Sequence, residues 1–163
     1  MKIRSEPAGD PTVAIAKPAN VTVSSAPGVS PAARILFVDD EPLMRRNVWH
    51  VFTRAGYSVA LAEDGLAAWN LLLAEAFSLV ITDSQMPRLS GEELVIKIRQ
   101  RALPLPVIVA AARVEFFLRA ENSYLQVAAV LSKPFPLLDL VRASALALKD
   151  RAFGPPKICL DVK

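Results

Sequence analysis

Four side chains in this chain could do chemistry together: Asp39, Asp40, Asp83 and Lys133. Asp39 and Asp40 close the run ILFVDD, Asp83 closes LVITD, and Lys133 follows AAVLS and opens KPF. A carboxylate can attack a phosphorylated donor once the phosphoryl charge is neutralised and the group is held in line. Three carboxylates in one crevice repel one another and resist joint ionisation unless a cation intervenes. A hard divalent cation bound through oxygen is the simplest remedy, and Mg2+ is the usual one beside phosphate. In this reading Asp39 and Asp40 bind Mg2+ directly or through water, while Asp83 is both metal ligand and nucleophile. The backbone carbonyl of Gln85 completes the metal shell. Lys133 offers the phosphoryl oxygens a point charge on a flexible stem. The bond from Lys133 to Pro134 is a candidate cis peptide that would help set the lysine geometry.

This chemistry requires the three apolar runs to end side by side. Each run is too short for a globular helix and rich in Val, Ile and Leu, as a strand buried on both faces should be. Strand-like and helix-like patterns alternate five times. The strands are expected at 34–39, 57–61, 78–82, 106–110 and 127–131. Between them the spacing predicts helices at 43–55, after Asp64-Gly65, at 92–101 and near 114–122, with a last helix near 136–151. The first helix carries Met44, Val48, Val51, Phe52 and Ala55 on one stripe, with Arg45, Arg46 and His50 facing elsewhere, and Gly56 ends it. The second points Leu66, Trp69, Leu72 and Leu73 inward, and the last repeats Leu137, Val141 and Leu148. Alternating β and α elements imply a parallel sheet with right-handed crossovers and helices on both faces. The expected class is α/β, a flavodoxin-like doubly wound (βα)5 fold with strand order 2-1-3-4-5. That order puts the ends of strands one, three and five near the switch point, where the charged residues fall.

Composition bounds the rest. The chain has 163 residues, 53% hydrophobic and 21% charged, with a net charge of +3. The basic residues are scattered, with no run longer than Arg45-Arg46, so nucleic acid is not an expected partner. Residues 1–33 hold five prolines among Ala, Val, Ser and Gly without periodicity and read as a flexible tail. Residues 34–151 form the folded block, and 152–163 a C-terminal tail with the breaker Gly154-Pro155-Pro156. Cys159 is the one cysteine, which fits a reducing compartment and a free thiol. No stretch approaches the roughly 20 apolar residues of a membrane span, and the start does not look like a secretory signal. A soluble cytoplasmic protein without membrane contact is expected.

Residues 34–151 resemble the receiver domain of two-component response regulators, with a likeness to the single-domain chemotaxis receivers. The resemblance rests on Asp39-Asp40-Glu41-Pro42, on Asp83 with Met86-Pro87, on Gly91, and on Lys133-Pro134-Phe135. It implies phosphoryl transfer from a histidine kinase or phosphotransfer protein to Asp83, Mg2+ dependence and slow self-hydrolysis. Two positions depart from the family. Where the fourth strand usually ends in Thr or Ser, this chain has Ala111, and residues 91–122 contain no Ser or Thr. Three residues before the lysine, where the family usually has Tyr or Phe, stands Val130. In the family the hydroxyl moves toward the phosphate and the aromatic ring follows. Both halves of that coupling are absent here. A hydrogen bond to a charged group contributes about 1.5–3 kcal/mol, so its loss should slow phosphoryl transfer without abolishing it.

Each charged residue alone has a plainer reading. An acidic pair after a strand is often a solvated helix entry, favoured by the positive end of the helix dipole. Asp83 alone could be a turn residue and Lys133 a surface charge; the four together favour function. His50 reads as a surface residue, and Trp49 and Trp69 as packing, Trp69 partly exposed. Phe116, Phe117 and Leu118 are adjacent, so one helix cannot bury all three against one sheet. The excess points either to deeper local packing or to a face for a partner or a homodimer, formed by the fourth helix, fifth strand and fifth helix.

The leading function is therefore a stand-alone receiver that accepts a phosphoryl group on Asp83 and regulates an output protein by binding it, not an enzyme in its own right. A phosphate-independent pseudo-receiver is the alternative, favoured by Ala111 and Val130 and opposed by the intact acids and lysine. An aspartyl-phosphate phosphatase ranks below both, because Gln85 stands where those enzymes carry a second acid. A flavin carrier is disfavoured, since acids at the first strand end would repel its phosphate.

Overall fold

The structure, a computed structural model, describes residues 33–149 and, as backbone, Cys159–Leu160. The N-terminal segment read as a flexible tail lies outside the described residues apart from Ala33, as does most of 152–163. Five parallel strands form the body of the sheet: β1 (Arg34–Val38), β2 (Ser58–Ala62), β3 (Leu79–Asp83), β4 (Val107–Ala111) and β5 (Ala129–Ser132). Their order is β2-β1-β3-β4-β5, as the sequence pattern predicts. β3 and β4 are buried at every position, which is why they read as unbroken apolar runs.

The connecting helices are α1 (Pro42–Arg54), α2 (Gly65–Ala74), α3 (Gly91–Gln100), the single turn α4 (Glu115–Leu118) and α5 (Leu137–Lys149). Side chains of α2 and α3, with Phe117 of α4, pack with Leu36, Val80, Val109 and Val130 on one face of the sheet. Those of α1 and α5 pack with Ile35, Phe37, Ile81 and Leu131 on the other. Alternate residues of each strand therefore serve opposite layers. Gly56 closes α1 with φ +89, a conformation that favours glycine. Ser90 and Glu93 form a reciprocal capping box at the start of α3, setting where that helix leaves the β3 end. No helix among the described residues is long and apolar enough to cross a membrane.

The structure corrects several local expectations. Leu66 and Leu73 are 46% and 56% exposed, and α2 instead buries Ala68 and Leu72, with Trp69 packed at the margin. On α1, Ala55 is exposed and caps the helix, and Trp49 is 43% exposed rather than packed inside. The fully buried stripe of α5 is Leu140, Ala143, Ser144 and Ala147, with Leu137, Val141 and Leu148 on its flanks. The helix expected over 114–122 is broken. α4 ends at extended Arg119, and a 3-10 helix, Ala120–Leu125, follows. Val114 offers α4 no side-chain cap, and Asn122 Nδ2 donates to the Phe116 carbonyl at 2.6 Å, holding the broken turn. Phe117 is buried, Phe116 packs against the same cluster, and Leu118 is 44% exposed. Local packing thus absorbs most of that apolar triplet.

Within the segment read as a C-terminal tail, Cys159–Leu160 forms a short strand, β6, paired in parallel with Val130 and Leu131 at the open edge of β5. The four crossovers from β1 to β5 share one hand. The β6 pairing runs for two residues only.

Candidate functional site

The carboxyl ends of β1, β3 and β5 bring the four expected side chains together. Oxygen atoms of Asp39, Asp40 and Asp83 lie within 4.8 Å of one another. Asp39 and Asp83 are buried, at 3% and 8% exposure, while Asp40 faces solvent. Lys133 reaches across from β5, its Nζ 2.6 Å from Asp83 Oδ2 and 3.5 Å from Asp39 Oδ2. The Lys133–Pro134 peptide is cis, as the sequence led us to expect. Gln85 brings its backbone to the cluster, its N–H donating to Asp83 Oδ1 at 3.2 Å, while its side chain is exposed.

Strand geometry explains the convergence. Val38 pairs with Thr82, Asp83 with Ala110 and Ala111 with Ser132, so these strands end at nearly one level. The Glu41 N–H donates to Asp39 Oδ1 at 2.9 Å, fixing the carboxylate as the chain turns into α1. The third acid, Asp40, projects from the same turn.

The electrostatics are those of an acid cluster with one cation. Burial pushes the Asp39 carboxyl above its ordinary range. The Glu41 N–H and Lys133 pull it down, and the charges of Asp83 and Asp40 push it up again, leaving it raised. Burial would lower the Lys133 ammonium, but its hydrogen bond with Asp83 and the charges of Asp83 and Asp39 outweigh that and hold it above the usual lysine range. The lysine is therefore a fixed positive charge. Three carboxylates facing one ammonium leave negative charge uncompensated. Hard oxygen donors in excess suit Mg2+, so the residues present fit that ion, which Asp39, Asp40 and Asp83 would hold.

This charge balance has a measurable consequence. A carboxyl whose folded pKa is raised contributes stability at low pH that is lost as pH rises through the folded value. Without divalent cations, Asp39→Asn is therefore expected to raise the Tm at neutral pH by a few degrees, the scale on which about 1 kcal/mol shows in a domain of this size. Thermal melts with EDTA and with Mg2+ check this. Mg2+ should raise the wild-type Tm more than that of Asp39→Asn, and equal responses would count against Asp39 as a ligand.

Two supporting residues escaped the sequence reading. Arg45, placed there on the polar side of α1, donates from Nη1 to the Asp39 carbonyl at 2.7 Å and braces the β1 end. Arg88 has φ 67 and pairs with Glu63 Oε1 at 2.7 Å and with Asp64, the fully buried N-cap of α2. The hydrogen bond from Arg88 holds the Glu63 carboxyl below its usual range. These contacts tie the loop after Asp83 to the loop before α2. Neither has a local sequence signal, because each joins residues on different elements.

Ala111 and Val130 occupy the two altered positions. Both are fully buried in the layer formed with α2, α3 and Phe117, and Val130 pairs with Val109 two steps before the Ala111–Ser132 pair. No hydroxyl or ring replaces them from their own positions.

The arrangement matches known proteins. Residues 35–145 match the response regulator receiver domain family. The chain is 35% identical over 108 residues to the response regulator receiver protein CpdR of Brucella abortus, covering 66% of this chain and 90% of that protein. It is equally identical over 108 residues to the response regulator MprA of Mycolicibacterium vanbaalenii, but there spans only 47% of the relative's length. Among solved structures, the chemotaxis response regulator CheY4 of Vibrio cholerae superposes with a TM-score of 0.64 at 26% identity, covering 71% of this chain and 98% of that one. The response regulator TrrA of Thermotoga maritima, solved with Mg2+ and BeF, gives 0.63 at 28% identity, with the same coverage of each chain. The acids and lysine converge at the sheet switch point, and the family match spans most of the folded block: the chain belongs to the response regulator receiver domain family.

Proposed function

We propose that Asp83 accepts a phosphoryl group from a histidine kinase or phosphotransfer protein in a Mg2+-dependent reaction, and that the chain then regulates an output protein by binding it. The observation that carries this reading is the contact of Lys133 Nζ with Asp83 Oδ2 at 2.6 Å inside a cluster of three carboxylates. An Asp83 oxygen attacks phosphorus, the bond from phosphorus to the donor breaks with its electron pair leaving on the donor, and an acyl phosphate remains. Lys133 moves from the Asp83 carboxylate to the incoming phosphoryl oxygens and keeps its proton. The bound cation supplies charge neutralisation for the transferring group. The chain acts as phosphoacceptor with slow self-hydrolysis rather than as an enzyme on an outside substrate. The Mg2+- and BeF-bound state of TrrA makes beryllofluoride a suitable probe of the same site here. For the output face, Leu118 of α4, Tyr124 of the 3-10 helix and Leu138 and Leu146 of α5 offer exposed apolar contact to a partner or a second copy.

Incubation with a small phosphodonor and Mg2+, followed by mass measurement, tests the chemistry. Wild type should gain one phosphoryl group and Asp83→Asn none. A wild type that stays unlabelled under conditions that label an ordinary receiver would overturn the proposal. Ala111 and Val130 favour a second reading, a pseudo-receiver that binds partners regardless of phosphate. A pull-down with wild type, Asp83→Asn and the beryllofluoride-loaded protein separates the two. A partner gained or lost only with beryllofluoride supports the switch, and the same partners in all three support the pseudo-receiver.

A further inference from the structure

Although Ala111 has no hydroxyl, its lateral neighbours in the sheet do. The β3–β4 register pairs Asp83 with Ala110, and the ladder continues one step further, with the Ser84 N–H donating to the Ala110 carbonyl at 2.9 Å. Ser84 therefore stands opposite Ala111. On Ala111's other side, its register partner in β5 is Ser132. In parallel strands, residues opposite each other project to the same face, and neighbouring strands lie about 4.8 Å apart. Ser84, Ala111 and Ser132 thus form a row across three strand ends, with the small methyl of Ala111 in the middle.

The two serines differ in their surroundings. Ser84 is 5% exposed, yet its hydroxyl has no hydrogen-bond partner among the described residues. It directly follows Asp83, at the end of the strand that carries it. Ser132 is half-buried and stands two strands away from Asp83. A hydroxyl that no protein group holds can donate to a group that arrives later, at little reorganisation cost.

We propose that the Ser84 hydroxyl takes over the task left vacant at position 111, donating a hydrogen bond to a non-bridging oxygen of the phosphoryl group on Asp83. This rests on the phosphoacceptor reading and adds a positioning residue to it. The serine keeps its proton throughout. The bond formed is Asp83 oxygen to phosphorus, and the bond broken joins phosphorus to the donor. Because Ser84 directly follows β3 rather than sitting on β4, its response to the phosphoryl group is tied to the Asp83 strand end, and no movement at position 111 is required.

The test measures the labelling rate of Asp83 by acetyl phosphate with Mg2+ on the full chain, and the affinity for beryllofluoride. Ser84→Ala should slow labelling on the order of ten- to a hundredfold, the value of one hydrogen bond to a charged group. It should also weaken beryllofluoride binding, with the thermal melt unchanged. Ser84→Thr should restore most of the rate. A hydroxyl returned at the ordinary position, in the Ser84→Ala, Ala111→Thr double variant, should also rescue it. Ser132→Ala should label like wild type. Equal rates for wild type and Ser84→Ala would overturn the assignment while leaving the phosphoacceptor reading intact. A loss confined to Ser132→Ala would move the role to β5 and overturn it equally. An unlabelled wild type would remove both readings together.

Discussion

Gly91→Ala is expected to be among the most damaging single substitutions in the domain, costing about 3 kcal/mol or more. A Cβ at position 91 would drive into the carbonyl oxygen of Asp83, would stand 2.8 Å from the Asp83 carbonyl carbon, and would crowd Thr82 Oγ1 at 3.0 Å. The obstacle is the backbone of the strand that carries Asp83, so no side chain can swing aside. The Gly91 N–H also donates to the Ser84 carbonyl at 3.0 Å, locking the head of α3 to the end of β3. Relief requires separating the two, which displaces Asp83 from Lys133. Denaturant melts should show the loss of stability. Phosphodonor labelling of the fraction that remains folded should fall by at least about tenfold, because small misplacements are costly in a positioned reaction. Wild-type stability with full labelling would show that the α3 head is free to move.

Lys133→Ala is expected to remove labelling almost entirely and to lower stability by about 2–3 kcal/mol at neutral pH without divalent cations. The figure sits below the 3–5 kcal/mol of a fully buried broken pair because the lysine side chain is 28% exposed. Asp39 and Asp83 would remain with side chains only 4% and 11% exposed and no cation between them. Sign and pH window follow from the charges. The Lys133 pKa is raised, so its contribution is complete at neutral pH and fades only as pH climbs through that raised value. The penalty of the variant belongs to the ionised carboxylates and should shrink as pH falls into the carboxylate range. Mg2+ should recover part of the stability but little of the labelling, because in the proposed reaction the metal would sit with the carboxylates while the lysine would serve the phosphoryl oxygens. Urea melts across pH, with and without Mg2+, check each part. A stability loss that grows on acidification would contradict this account.

Much of the fold was legible because local rules and tertiary need agree. β3 and β4 are buried on both faces, so their apolar runs read directly as strands, and the βα alternation left few topologies open. The acid and lysine positions followed from strand ends alone. Where reading failed, the cause was competition between elements. In α2 seven of ten residues are Leu or Ala and one is Trp, so an inward stripe could be drawn in several ways; the sheet chose Ala68 and Leu72. The turn at Arg119 depends on Asn122 reaching back to the Phe116 carbonyl, a contact that no helical periodicity reports.

The sequence by itself determined the strands and the four residues at their ends, because hydrophobic period and residue chemistry are local properties; the strand order it could only suggest, and pairing between strands decided it. It also determined what is missing, since Ala111 and Val130 carry neither hydroxyl nor ring wherever they lie. Only the tertiary structure decided which groups stand beside those gaps. The row Ser84–Ala111–Ser132 joins residues 27 and 21 positions apart through register alone, and register is fixed by pairing between distant strands rather than by any run of neighbours.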